Sequence, residues 1–353
     1  MKKIRVPSRI CLFGDHQDYL NLPVIAAAID RYMYLEYIPT SSNFFKINLN
    51  DLEQTIEVDF DDTSEVAAND YFRSCIEVLK TYGFEFQSGY ELNIHSDIPI
   101  NAGLSSSSAL VVSWLRFLVA VLKNTRQIEI SDYQIGRWAY ESEVLFFEQP
   151  GGCMDQFTIA NSGVIYIDTL TQQLKRLPKP KGHYVIANSG ISKDTLSVLA
   201  QAKKLALSGI EKVIQEEGKI EKVTDFSLDD YHNYLHFMTQ DERPYWFSTL
   251  ENYRITLSAL KAITAEHSSK VIGSLLNQHQ YILNKYIKNT PKIMQSWIDE
   301  VVQKDALGAK IIGSGGGGCL LAVCNDDHSA QNTVFRFKEL GAQEAFQITL
   351  IEG

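Results

Sequence analysis

The chain has 353 residues, 45% of them hydrophobic and 22% charged, and its 33 Lys and Arg against 43 Asp and Glu leave a formal net charge of −10. That length suits two domains, each able to bury its own core. The acidic balance leaves no basic surplus to coat nucleic acid or an anionic membrane, and the longest apolar stretch, residues 109–122, is cut by Arg116 and falls short of the roughly 20 residues of a membrane span. Arg5, Arg9 and Asp15 interrupt the opening MKKIRVPSRICLFGDH, so no secretory leader is expected there. The five cysteines have no CxxC spacing and are too few for a disulfide framework, which points to a reduced, cytoplasmic protein.

Residues 4–60 carry short β-like runs, Tyr32 to Ile38 and Phe45 to Leu49 among them, separated by turn residues at 40–43. Helical spacing of apolar residues follows from Asn69 to Tyr82, with Gly83 placed to stop the helix. A strand is predicted near 89–95, a long helix at 105–123, and a second helix at 131–147 with Ser131 as its N-cap. After Gln156 the pattern returns to strands, 163–168 and 183–188, and the PKPKG of residues 178–182 reads as an exposed turn and a domain boundary. The expected domains are therefore 1–179 and 180–353. Beyond the turn lie helical stretches at about 195–217, 228–238, 243–267, 270–286 and 291–304. The tail reads as strand 310–312, a glycine loop, strand 319–324, a helix near 329–340 and a last strand from 345. That β-β-α-β ending, with helices grouped elsewhere, argues for an α+β fold.

Three segments carry chemistry. In Pro99-Ile-Asn-Ala-Gly-Leu-Ser-Ser-Ser-Ser-Ala109 a loop opens an apolar helix, and Ser105, Ser106, Ser107 and Ser108 sit where the orphan N–H groups of a first turn point outward. Backbone donors, the positive end of the helix dipole and mobile hydroxyls make a phosphate cradle, although a serine-capped helix is the plainer reading. The second segment, Gly313-Ser-Gly-Gly-Gly-Gly318, matches G-x-G-x-x-G but is followed by a strand instead of a helix, which argues against a dinucleotide fold. Five glycines in six residues exceed what a hairpin turn requires, so a backbone that approaches a ligand explains them better. The third is Asp155, after Pro150-Gly-Gly152, which alone reads as a turn or cap residue. Its partners come from Pro7-Ser-Arg9-Ile-Cys-Leu-Phe-Gly-Asp15-His16-Gln-Asp18-Tyr19. Asp15, His16 and Asp18 make a weak metal set and a better hydroxyl-binding set.

Taken together, these segments resemble the GHMP kinase family, and within it residues 7–19 resemble the galactokinase opening, P-G-R-x-N-x-I-G-E-H-T-D-Y. Residues 103–108 resemble the family's phosphate loop, residues 310–319 its C-terminal glycine motif, and Gly152-Cys-Met-Asp-Gln-Phe157 the galactokinase G-I-M-D-Q-F. The resemblance implies a two-domain fold, with an N-terminal domain like ribosomal protein S5 and a ferredoxin-like C-terminal domain, and an active site in the cleft between them. It implies ATP phosphates on Gly103, Leu104, Ser105 to Ser108, Gly315 and Gly316, and Mg²⁺ on Ser107 and Glu143. It makes Asp155 the catalytic carboxylate with Arg9 beside it, an arrangement suited to the charge of phosphoryl transfer. Asp15, His16, Asp18 and Gly152 would bind a small sugar, most naturally galactose at its anomeric hydroxyl, in a monomer or homodimer.

The pattern also departs from that branch. Asp15 is one methylene shorter than the usual Glu, Gln17 replaces Thr, Glu148 stands where galactokinases have Gly, and no tyrosine follows residues 188–195 where one would meet the sugar. Residues 188–217 look more like mevalonate or sugar-phosphate kinases, and Lys193, Lys203 and Lys204 could meet an anionic acceptor if they are not simply a solvated helix face. A sugar- and ATP-sensing regulator without catalysis is the other class of function, and it would be expected to have lost the phosphate loop or the carboxylate. Neither is lost.

Overall fold

The computed structural model describes residues 1–99, 102–123, 129–192, 195–218 and 222–353. In chain order its strands are β1 (Lys2–Phe13), β2 (Val24–Pro39), β3 (Phe44–Leu49), β4 (Gln54–Asp59), β5 (Tyr90–Ser96), β6 (Val164–Asp168), β7 (Gln173–Leu177), β8 (His183–Asn188), β9 (Gly308–Ile311), β10 (Cys319–Cys324) and β11 (Glu344–Ile348). The helices are α1 (Tyr71–Thr81), α2 (Ser106–Lys123), α3 (Asp132–Tyr140), α4 (Met154–Asn161), α5 (Thr195–Glu217), α6 (Arg243–Thr264), α7 (Ser269–Ile282), α8 (Lys292–Lys304) and α9 (Asp327–Glu339). Among the described residues no helix is long and apolar enough to cross a membrane.

Contacts divide the chain into two compact units: Met1–Arg9 with Ala28–Pro99 and Ser105–Ser162, and Ile10–Ala27 with Ile100–Leu104 and Gly163–Gly353. A cut at 179/180 falls inside the second of these. The physical reason is the length of β2: Met33–Pro39 pair with β5 in the first unit, while Val24–Ala27 pair with Val164–Ile167 of β6 in the second. One strand thus serves two clusters of contacts.

In the first unit β3 pairs antiparallel with β4 and parallel with β5, which pairs antiparallel with β2. The aromatic residues of β3 and β5 meet those of α2. Phe45 lies edge-on to Trp114 at 5.3 Å, and Trp114 stacks on Phe117 at 5.0 Å. Each such buried ring is worth about 1.5–3 kcal/mol over an exposed one, so α2 is fixed along its length and its serine-rich start with it. Helix α1 starts where Asp70 accepts the Arg73 N–H, and α3 where Ser131 accepts the Gln134 N–H, as the sequence predicts for Ser131.

Among the features that differ from the expected pattern, two lie beside Asp155. The helix predicted over 131–147 ends as α at Tyr140 and continues as a π-helical turn, Glu141–Leu145. Residues 154–161, expected as a turn leading into strands, are helix α4. Met154, Gln156, Phe157, Thr158, Ile159 and Ala160 are all buried, so α4 has no polar face to give it a helical period.

In the second unit β11, β8, β10 and β9 form an antiparallel sheet in that order. Numbered within this sheet, the strands run 4-1-3-2, with α9 joining the last two. This is the ferredoxin-like arrangement. Ile311, Leu320 and Ala322 of the sheet bury against Trp297, Ile298 and Phe337.

Candidate functional site

In the first unit, Arg9 and Asp155 meet across 146 residues. The Arg9 Nε donates to Asp155 Oδ1 and its Nη2 to Oδ2, both at 2.6 Å, a two-pronged pairing that fixes the carboxylate plane. The Arg9 side chain is 5% exposed and that of Asp155 26%, so the pair presents the carboxylate and hides the cation. Asp155 stands in the first turn of α4, where the helix dipole favours a negative charge. Ser105 donates its hydroxyl to Oδ2 as well. Ser105, at φ 56°, adopts the left-handed conformation that points this hydroxyl to the carboxylate, while its carbonyl accepts the Ala109 N–H. Of the four serines, Ser105 is thus committed to Asp155.

Next to Asp155 in sequence, the Gln156 Nε2 donates to Glu143 Oε2 at 2.7 Å and lies 3.5 Å from the Ser108 Oγ. Glu143 comes from the π-helical turn and is 6% exposed. Burial, the largest influence, pushes its carboxyl up, Gln156, Ser108 and Ser107 offset this in part by donating to it, and the charge of Asp155 adds to the rise. These partners are neutral donors, so the buried acid lacks a countercharge from them. Such a carboxylate beside two serine hydroxyls suits Mg²⁺, which takes one or two carboxylates and fills its remaining positions with water and substrate phosphate. Ser107 is exposed and Ser108 buried, both in the first turn of α2. Gly152 lies in the loop two residues before α4.

The second unit holds the acidic segment and the glycine loop. Gly14, at φ 98°, turns the chain sharply after β1, and a Cβ there would lie 2.8 Å from Val24 Cγ1. The turn sends Asp15 inward. The Asp15 Oδ2 receives Lys310 Nζ at 2.5 Å and Oδ1 receives the Gly313 N–H at 2.5 Å, and neither side chain of the ion pair is exposed. Burial, the largest single influence, pushes the Asp15 carboxyl up, but Lys310, first among the opposing groups, together with His279 and Cys11 makes the net direction down. His279, buried and stacked on Phe13, is pushed down to about 3 by burial first and Lys310 second, so it is neutral beside the pair. The His16 Nε2 lies 3.0 Å from the Ser314 carbonyl and 3.1 Å from the Asn289 Nδ2, and its Nδ1 lies 2.7 Å from the Tyr19 hydroxyl. Asp18 is part-exposed and accepts the Tyr19 N–H at 3.0 Å.

The glycine loop is held from a further side. Asn289 Nδ2 donates to the Ser314 carbonyl and Asn289 O accepts the Gly316 N–H at 2.6 Å. Gly315, at φ 76°, passes so close that a Cβ would lie 2.5 Å from Asn289 O. The Gly316 amide, expected on ATP phosphate, is therefore already donated within the protein. Gly103, at φ 84°, and buried Leu104 follow Ala102, whose carbonyl accepts the Cys319 N–H.

Family models described as GHMP kinases N terminal domain, GHMP kinases C terminal and galactokinase galactose-binding signature match residues 70–163, 258–343 and 3–38. The chain belongs to the GHMP kinases. This GHMP kinase is similar to the galactokinase of Pyrococcus furiosus, 27% identical over 340 residues that cover 93% of this chain and 90% of the relative. Its fold is that of Lactococcus lactis galactokinase, solved complexed with galactose, at a TM-score of 0.85 and 21% identity over 100% of this chain and 94% of that one. The Methanococcus jannaschii mevalonate kinase is similar at a TM-score of 0.73 and 19% identity, over 99% and 98% of the two chains.

Within this GHMP kinase, sequence reasoning missed Gln156, Asn289 and Lys310. Lys310 had a signal, a lone cation in the apolar strand β9, since a lysine is almost never fully buried unless paired. Gln156 lay inside a motif without a role, and Asn289 had no local mark. Glu148, the departure from the galactokinase pattern noted above, has φ 52°, the left-handed conformation that glycine adopts most readily. Of the three lysines considered for an anionic acceptor, Lys203 lies 5.9 Å from the Tyr19 ring centroid, Lys204 is exposed, and Lys193 lies outside the described residues.

Proposed function

We propose that this GHMP kinase transfers the γ-phosphoryl group of ATP to galactose at its anomeric hydroxyl. The observation that carries the reading is the Arg9–Asp155 pair, a carboxylate held in a fixed plane and left a quarter exposed beside the serine-rich start of α2. Phosphoryl transfer asks for positioning and charge stabilisation more than for covalent help. In this reading Asp155 accepts the proton of the attacking hydroxyl, and Arg9 orients it and stabilises charge on the transferring group. The first-turn amides of α2 bind phosphate. Glu143 and Ser107 would hold Mg²⁺, which when bound neutralises charge on the nucleotide phosphates. Galactose is favoured over mevalonate by the match of residues 3–38 to the galactose-binding signature and by the closer likeness to a galactokinase fold. Asp18 supports the same choice, since a part-exposed carboxylate suits a neutral polyol and repels a phosphorylated acceptor. The five cysteines are buried and none is in a disulfide, consistent with work in the reducing cytoplasm.

Comparing kcat/KM for galactose, a hexose phosphate, a heptose phosphate and mevalonate tests the acceptor. Galactose is expected to lead; a preference for a phosphorylated or carboxylated acceptor overturns the choice. The metal assignment has its own test. Glu143→Gln and Ser107→Ala are each expected to lower the rate about tenfold at limiting Mg²⁺ and to recover in part as Mg²⁺ is raised. Because the Glu143 carboxyl is raised and must be ionised to bind a cation, wild-type demand for Mg²⁺ should grow as pH falls. Equal loss at all Mg²⁺ concentrations would speak against the role.

A further inference from the structure

We infer that Gln156 is a positioning residue for Mg²⁺: its Nε2 holds the Glu143 carboxylate in place, and its Oε1 accepts a hydrogen bond from a water that the cation carries. The inference deepens the kinase reading and rests on the assignment of Mg²⁺ to Glu143. The two side chains come from different elements, Glu143 from the π-helical turn and Gln156 from α4, and they meet in the interior, where the residues are 6% and 3% exposed. The Nε2 donates to Glu143 Oε2 at 2.7 Å, and a carboxylate only accepts, so the ionised Glu143 that a cation needs fixes which end of the amide faces it. The other end, Oε1, is buried and has no hydrogen-bond partner among the described residues.

An amide oxygen shut away from solvent without a donor costs stability, and few buried polar groups are left that way. The place of this one says what would serve it. The oxygen and nitrogen of one amide are about 2.3 Å apart, so Oε1 lies within roughly 5 Å of Glu143 Oε2, a span that one water bridges. Mg²⁺ gives up its waters reluctantly and keeps several when it binds through one or two carboxylates. A cation on Glu143 therefore brings a donor to Oε1, and hydrogen-bonded outer groups of this kind orient a metal's ligands. A water without a metal would satisfy Oε1 as well, but it would not tie Gln156 to metal affinity. Helix α4 makes the placement firm: residues Gln156 to Ala160 are all buried, and the Thr158 hydroxyl donates to the Met154 carbonyl at 2.6 Å. Asp155 and Gln156 are neighbours on it, so one rigid helix sets the carboxylate that takes the proton and, through Gln156, the carboxylate that takes the metal.

The test is metal binding by the full chain with ADP, read by electron paramagnetic resonance with Mn²⁺ as the probe, since bound Mn²⁺ loses the sharp signal of the free ion. Gln156→Met, which keeps the length and removes both polar atoms, should weaken Mn²⁺ binding about tenfold, while ADP binding without metal stays within about twofold. Gln156→Asn, whose amide is drawn back by one methylene, should show most of the same loss, and it decides if Gln156→Met does not fold. Glu143→Gln should weaken binding at least as much. In the Glu143→Gln background, adding Gln156→Met should cost less than about twofold more, because Gln156 acts through the ligand already lost. A merely structural glutamine would cost the same in both backgrounds. Wild-type Mn²⁺ affinity in Gln156→Met, or full additivity in the double variant, overturns the inference and leaves the metal on Glu143. If Glu143→Gln itself binds Mn²⁺ as tightly as the wild type, the metal assignment falls and the inference with it.

Discussion

Asp155→Asn is expected to lower kcat about a thousandfold or more, in the range that loss of a general base produces, and to leave ADP affinity within about twofold. Asp155 belongs to the acceptor side of the chemistry. Its proton-accepting role exists in the transition state and contributes little to ground-state nucleotide binding. The amide keeps the shape of the side chain but presents N–H groups to the Arg9 fork and the Ser105 hydroxyl, both of which donate. Arg9→Ala should cost less, because it removes orientation and charge stabilisation while the carboxylate remains. A variant at position 155 with near wild-type kcat would end the assignment, and a matching loss of ADP affinity would move the residue to the nucleotide side.

Lys310→Met is expected to have the largest effect on stability, about 3–5 kcal/mol, because it strands a buried carboxylate. The Asp15 side chain has no exposed surface and Lys310 supplies its countercharge. The sign with pH follows from the direction of the shift. In the wild type the folded carboxyl is lowered, so its contribution is fully present above the unfolded value near ~3.9 and is lost as pH falls through the lower folded value. In Lys310→Met burial, the largest influence, loses its main opponent and keeps only the weaker ones, so the folded carboxyl rises above the unfolded one and stability falls as pH rises toward neutrality. Urea unfolding at pH 5 and pH 8 measures this: the variant should be more stable at pH 5, and a variant equally stable at both would show that Asp15 is not stranded.

The parts of the molecule legible in the sequence are those set by local chemistry. Ser131 caps α3, Asp70 to Thr81 form a capped amphipathic helix, and the β-β-α-β tail from Gly308 to Ile348 is the sheet it promised. The serine run, the glycine run and Asp155 stand out because each breaks the ordinary pattern of core and surface. Helix α4 was hidden because it is buried on nearly every side and follows Pro-Gly-Gly. The destination of Asp15 was hidden for a different reason. A carboxylate in a G-D-H-x-D segment looks like a ligand until Lys310, 295 residues away, is seen to meet it, and no local spacing encodes that pairing. Asn289 is likewise an ordinary polar residue until the loop at 314–316 closes on it.

The central claim is that ATP is spent on the anomeric hydroxyl of galactose. Phosphorus NMR of the wild-type protein with ATP, Mg²⁺ and galactose reads it directly. The account predicts loss of the ATP γ signal in step with the appearance of one sugar phosphate coupled to the anomeric proton, and none of this without Mg²⁺. A phosphate on any other sugar oxygen, or ATP that stays intact with galactose yet is consumed when mevalonate or a sugar phosphate is supplied, would contradict it.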